Sequence, residues 1–384
     1  MGEVRIRPAA VLGAALLALA LPAVARADDL VATASRPTPV SAYAGRIAWS
    51  AFDPAQNAYV LMTSVGGVPS VVPVAPRSVP FDVDLGPDEN GDTVAVYSRC
   101  RREPTPRAPA TGNVITQLPV WETGRGCDIY RFTFATGRET PIAVANSPTA
   151  SEFLPTVWKA RVAFARVYER KHGIAGQRAY LYFRGVSGAG RSVRVPAGSR
   201  STQRFCTGKP RRCKRLLEPG PTALDLAGRR LAFGWDSGDQ GGPTSAAYFA
   251  TLSAHPRKHR VDLGSSGDIQ AEEMIQPSVD TGQVYWGRTL FGDTTASSVR
   301  RYRITTGGRQ QAPLPTPGQP DAFVRSVLAL AVDGPSVYYL LSGADLPGEP
   351  CTPAQPCIAP PACSDAGPCR LMVAHNPAFM SFKR

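Results

Sequence analysis

The chain has 384 residues, a net charge of +13 at pH 7 and eight cysteines, and 43% of its residues are hydrophobic. Beyond the N-terminal run no stretch is long and apolar enough to span a bilayer, and no Cys spacing matches the C-x2-4-C pairs of a zinc site. The basic excess comes from Arg, with only six Lys, and Arg forks suit carboxylate or phosphate partners; the Ala-, Gly- and Pro-rich composition fits a G+C-rich genome equally well.

Arg5 and Arg7 precede "AAVLGAALLALALPAV", and Ala25-Arg26-Ala27 follows before Asp28. A positive flank, a short apolar core and an A-x-A site predict a secretory signal peptide over 1–27, and hence a secreted or envelope protein. An even cysteine count in an exported chain predicts disulfides: Cys100 with Cys127, Cys206 with Cys213, and two bonds among Cys351, Cys357, Cys363 and Cys369 whose pairing stays open.

From residue 37 onward one phrase recurs, a tight turn followed by an apolar triplet. The copies are "GRIAWS" (45–50), "GDTVAVYS" (91–98), "ARVAFAR" (160–166), "GRRLAFGW" (228–235), "GQVYWGR" (282–288) and "GPSVYYLLS" (334–342). Each has a short strand-like segment before it, such as "PTALDL", and an aromatic-rich one after it, such as "AYLYFRG". Repeats of this size, made of short strands, predict an all-β, six-bladed β-propeller of four-stranded antiparallel blades. The blades fall at about 37–76, 81–146, 153–198, 220–265, 276–315 and 324–384, in one domain over 28–384. The sixth blade lacks an outer strand. "LVATA" (30–34) is expected to supply it and close the ring, with "AFMSF" (378–382) as the rival. The rhythm of "QPSVDTGQVYWG" and "PTALDLAGRRLAFGW" resembles TolB-type (WD40-like) propeller repeats, although the S-P-D-G turn of that family is absent. The resemblance implies the fold and a binding platform in the cell envelope, and no catalytic residues.

In such a meander the A–B and C–D turns share one side of the ring, and the B–C and D–A connections share the other. Every long insertion (101–126, 167–178, 199–219, 236–245 and 343–368) falls in the second class, so one face is plain and one elaborated. The elaborated face is basic over blades two to four, where Arg101, Arg102, Arg170, Lys171, Arg204, Lys209, Arg211, Arg212, Lys214 and Arg215 form a candidate site for an anionic partner. The loops at 266–274 and 343–369 are acidic.

No H-E-x-x-H, P-loop or dinucleotide motif occurs, "GVSGAG" (185–190) lacks the final Gly of a nucleophile elbow, and no cofactor is expected. "DENGD" (88–92) lacks the Gly and Glu of a calcium loop and reads as an Asn-Gly turn. The expectation is therefore a monomeric, non-enzymatic propeller that binds an envelope or extracellular protein or an anionic polymer, and not nucleic acid. The alternative is a propeller hydrolase or lyase acting on an acidic polysaccharide, with carboxylates and Arg converging in the axial cleft.

Overall fold

The computed structural model describes residues 28–106, 118–168, 178–188, 191–199, 204–206, 213–215, 219–239, 242–265, 271–291, 296–315, 325–343 and 363–382. These form six four-stranded antiparallel sheets, each running from an inner strand A to an outer strand D. All six turn-plus-triplet phrases are strand B: Arg46–Asp53, Thr93–Arg102, Arg161–Tyr168, Arg230–Asp239, Gln283–Phe291 and Ser336–Leu341. The turns before them carry the chain reversal, with Gly45, Gly91, Gly228 and Gly334 at positive φ. Their triplets are buried because blades stack face to face: Phe164 and Val162 pack on Val94, Val96 and Ile129 of the preceding blade. Trp286 of blade 5 likewise packs on Phe249 and Val261 of blade 4. Fully burying one Phe, Leu or Val is worth about 1.5–3 kcal/mol, which a lone sheet with two wet faces forgoes.

Blade 6 is completed by the N-terminal segment Asp29–Ala34, which pairs antiparallel with strand C, Cys369–His375. Just upstream, the Asp28 carboxylate accepts a hydrogen bond from the Tyr339 hydroxyl at 2.6 Å. The rival "AFMSF" segment has another place. Met380 and Ser381 pair with Gln311 and Gln310 as a fifth strand on blade 5, held by Phe379 against Arg301 and Phe382 against Arg300.

Two expectations about the elaborated face need correction. Segment 236–245 is not a loop insertion, because strands B and C of blade 4 stay in register out to Asp239 opposite Gly242. Residues 271–274 of the expected acidic loop belong to strand A of blade 5, Ala271–Asp280. Cys100 and Cys127 are bonded, directly opposite one another on strands B and C of blade 2, so they close the base of the 101–126 insertion. Cys363 is bonded to Cys369. Cys206 and Cys213 oppose each other in a two-stranded ladder, but their side chains, like Cys351 and Cys357, lie outside the described residues.

Candidate functional site at the propeller axis

Strand A lines the axis in every blade, and four of the six copies carry a β-bulge at the same level. The register slips between Phe153 and Thr156, Pro221 and Ala223, Ile275 and Ser278, and Val327 and Ala329. Leu154 and Gln276 take positive φ there. A bulge leaves one residue out of the ladder and turns its side chain. The slipped residues Leu154, Thr222, Gln276 and Leu328 all line one cleft on the axis. Strand A starts on the elaborated face, so the cleft opens there.

Four carboxylates from three blades also line it: Asp82 and Glu122 of blade 2, Asp236 of blade 4 and Glu273 of blade 5. Among the described residues, no Lys or Arg lines it. Asp82 is structural. Its carboxylate accepts hydrogen bonds from the Ser98 amide and hydroxyl (2.8 and 2.7 Å) and from the Leu154 amide (2.7 Å), and pairs with buried Arg77 at 3.2 Å. Glu122 arrives on the blade 2 insertion, in the 3-10 turn Trp121–Thr123, with Trp121 buried beneath it. The turn is fixed by the Thr123 hydroxyl bonded to the Val120 carbonyl (2.7 Å), and the Arg77–Glu103 pair and the Cys100–Cys127 bond pin the insertion's base. A Cβ on Gly220 would lie 3.5 Å from Glu122 Oε1, so the carboxylate faces the start of blade 4. Adjacent residues on a strand face opposite ways: Glu272 pairs with Arg288 while its neighbour Glu273 enters the cleft.

Gln276 forms the floor. Its side-chain amide bonds the backbone of Val40, its Oε1 accepting from the Val40 amide at 3.4 Å and its Nε2 donating to the Val40 carbonyl, so blades 5 and 1 are joined across the axis. Beyond this crossbar lies a smaller pocket holding Asp84 and Asp225. Burial pushes both carboxyls up, Asp84 further because Asp225 faces it.

Of the residues expected to bind an anion, the two with described side chains, Arg101 and Arg102, are not among those lining the cleft. Arg101 and Arg102 are exposed at the end of strand B of blade 2. For Arg204, Lys214 and Arg215 only the backbone of the small ladder is described, and Arg170, Lys171, Lys209, Arg211 and Arg212 lie outside the described residues. Glu122, Asp236 and Glu273 carry no sequence signal of their own. They are scattered over 150 positions, and only closure of the ring and the bulges bring them together.

No protein family and no curated protein matches the chain. Among solved structures it is similar to a Mycobacterium tuberculosis puromycin-hydrolyzing peptidase (12% identity, TM-score 0.43, covering 84% of this chain and 53% of that one). It is also similar to the β-propeller domain of the Trilobed protease from Pyrococcus furiosus (11%, 0.42, 77% and 72%) and to the phage phi92 endosialidase (10%, 0.37, 92% and 68%). The chain thus spans about half the length of the mycobacterial peptidase. At these identities the likeness speaks for the fold alone. The expectation of a non-enzymatic binder is corrected to this extent: the proteins with these folds are named as a peptidase, a protease and an endosialidase, which fits the hydrolase alternative better than the binder. The chain is a six-bladed, all-β propeller closed by its N-terminal strand.

Proposed function

We propose that the protein is an exported propeller hydrolase of an acidic polysaccharide, working in the axial cleft with Glu122, Asp236 and Glu273 as its acid–base carboxylates. The observation that carries this reading is the convergence of these side chains from blades 2, 4 and 5 on one cleft. Glycoside hydrolysis needs two carboxyl groups flanking the scissile bond. One, protonated, gives its proton to the departing glycosidic oxygen, while the other attacks the anomeric carbon or takes a proton from the attacking water. Asp82, Glu122, Asp236 and Glu273 together make the described lining of the cleft acidic. The same charge disfavours a uronate ring at the point of cleavage. An alternating polymer fits better, with an uncharged sugar in the cleft and its acidic neighbours outside, where Arg101, Arg102 and the basic insertions would recruit it. Export through segment 1–27 and the TolB-like repeat rhythm agree with an envelope location.

Purified protein assayed for new reducing ends is expected to cleave alternating uronate–hexosamine polymers over homopolyuronates and neutral glucans. Glu273→Gln or Asp236→Asn is expected to lower that rate about 100-fold or more, the usual worth of a general acid or base. No turnover on any of the three substrate classes overturns the reading.

A further inference from the structure

The rim of blade 3 on the elaborated face carries a second grouping that the cleft does not use. Strand B ends in Tyr168, which is 43% exposed. Its hydroxyl lies 3.1 Å from that of Tyr182, and its ring centroid 6.1 Å from that of Tyr180. The Arg194 guanidinium sits 4.1 Å over Tyr180 and that of Arg166 5.2 Å over Tyr182. Strand register puts them on one face, since Arg166 opposes Tyr180 and Tyr182 opposes Arg194. Phe164, buried and stacked on Tyr182, anchors the row in the core. Arg166 is held by Glu152 at 2.6 Å. Arg178, Arg191 and Arg194 are exposed, and Glu152 is the one acidic residue against seven basic ones among the described residues of blade 3.

Phenol faces and guanidinium forks side by side suit a ligand made of flat apolar ring faces with carboxylates at their edges. Sugar rings present C–H faces to aromatic side chains, and uronate carboxylates match the Arg fork. We propose that this rim is a secondary binding surface for a uronate-containing polysaccharide, with Tyr168 and Tyr180 stacking sugar rings and Arg194 and Arg178 pairing with their carboxylates. The inference rests on the reading of the protein as a polysaccharide hydrolase, and it gives an anionic polymer a place to be held beside the cleft.

The test measures binding apart from cleavage, using the Glu273→Gln protein titrated calorimetrically with polygalacturonate and with dextran. Polygalacturonate is expected to bind and dextran not, with affinity falling as salt is raised. Tyr168→Ala and Arg194→Ala are each expected to weaken binding about 5- to 10-fold, and Arg178→Ala, at an exposed position, to act in the same direction without touching the tyrosines. Unchanged affinity in all three, equal binding of dextran, or a preference for anionic lipid vesicles over polygalacturonate overturns the proposal. Polygalacturonate binding lost in these variants, with no polymer cleaved by the parent protein, would overturn the hydrolase reading and leave the surface standing.

Discussion

Asp84 of blade 2 and Asp225 of blade 4 line one pocket at the axis, with no Lys or Arg among its described lining residues. Asp84 accepts from the Ser41 hydroxyl at 2.8 Å, and Asp225 from the Ser278 hydroxyl at 2.6 Å and the Val279 amide at 2.7 Å. These donors soften the penalty of burial without cancelling it, and both carboxyls titrate above their ordinary range. Glu152 behaves alike: burial outweighs its Arg166 partner and lifts it to about 7. A carboxyl whose folded pKa exceeds its unfolded one binds its proton more tightly in the native state. Its contribution to stability is therefore greatest in acid and is lost as pH rises through the two values. For Glu152 that window runs from its ordinary value near 4.5 to about 7. Melting temperatures of the parent and Glu152→Gln proteins, compared from pH 5 to 8, are expected to shift in favour of the variant as pH rises. A difference that stays flat or moves the other way contradicts the assignment. None of these carboxylates is legible in the sequence, because their character comes from neighbours on other blades: "FDVDL" and "PTALDL" read as inner strands, and nothing in either says that their aspartates meet across an axis.

Among the elements, the outer strands show how an open ring of sheets avoids sticking to others. In blade 1 the Val72 amide donates inward to Leu61, and in blade 2 Ile142 to Ile129. Ladder alternation then points the amides of positions 69 and 141 away from the sheet, and each of these is a proline. An edge without that N–H is a poor template for a further strand. The protection matters most on blade 1, where Val68 and Val71 are 71% and 58% exposed. Pro69→Thr with Pro141→Thr is expected to shift the protein towards larger species in sedimentation velocity with little loss of melting temperature. An unchanged distribution at high concentration would show the prolines to be incidental. Strand identity itself was the most legible layer, since turn glycines and apolar triplets are local signals. The bulges were not, because a register slip in strand A depends on the partner strand and the axis it faces. For the same reason the long B–C hairpin of blade 4, with its Gly238 and Gly242, was read as a loop.

For the whole molecule, closure decides stability. The pairs Leu30–Met372 and Ala34–Cys369 join the two ends of the ring, whereas the Met380–Ser381 strand merely adds to an already complete blade. Removing residues 29–34 is therefore expected to unfold all six blades at a markedly lower temperature, and removing 377–384 to cost far less. Equal losses in the two truncations, read by calorimetry, would mean that the N-terminal strand is not the clasp. The same pairing also sets an order in time. Leu30 is among the first residues of the ring to be synthesised, and its partner Met372 follows more than three hundred positions later, so the first strand has to wait without a neighbour until nearly everything else exists. Nascent blades 1 to 5 can stack as they appear, but the circle snaps shut only at the very end, and a chaperone that shields one short valine- and alanine-bearing segment during that interval would govern the yield of the finished protein.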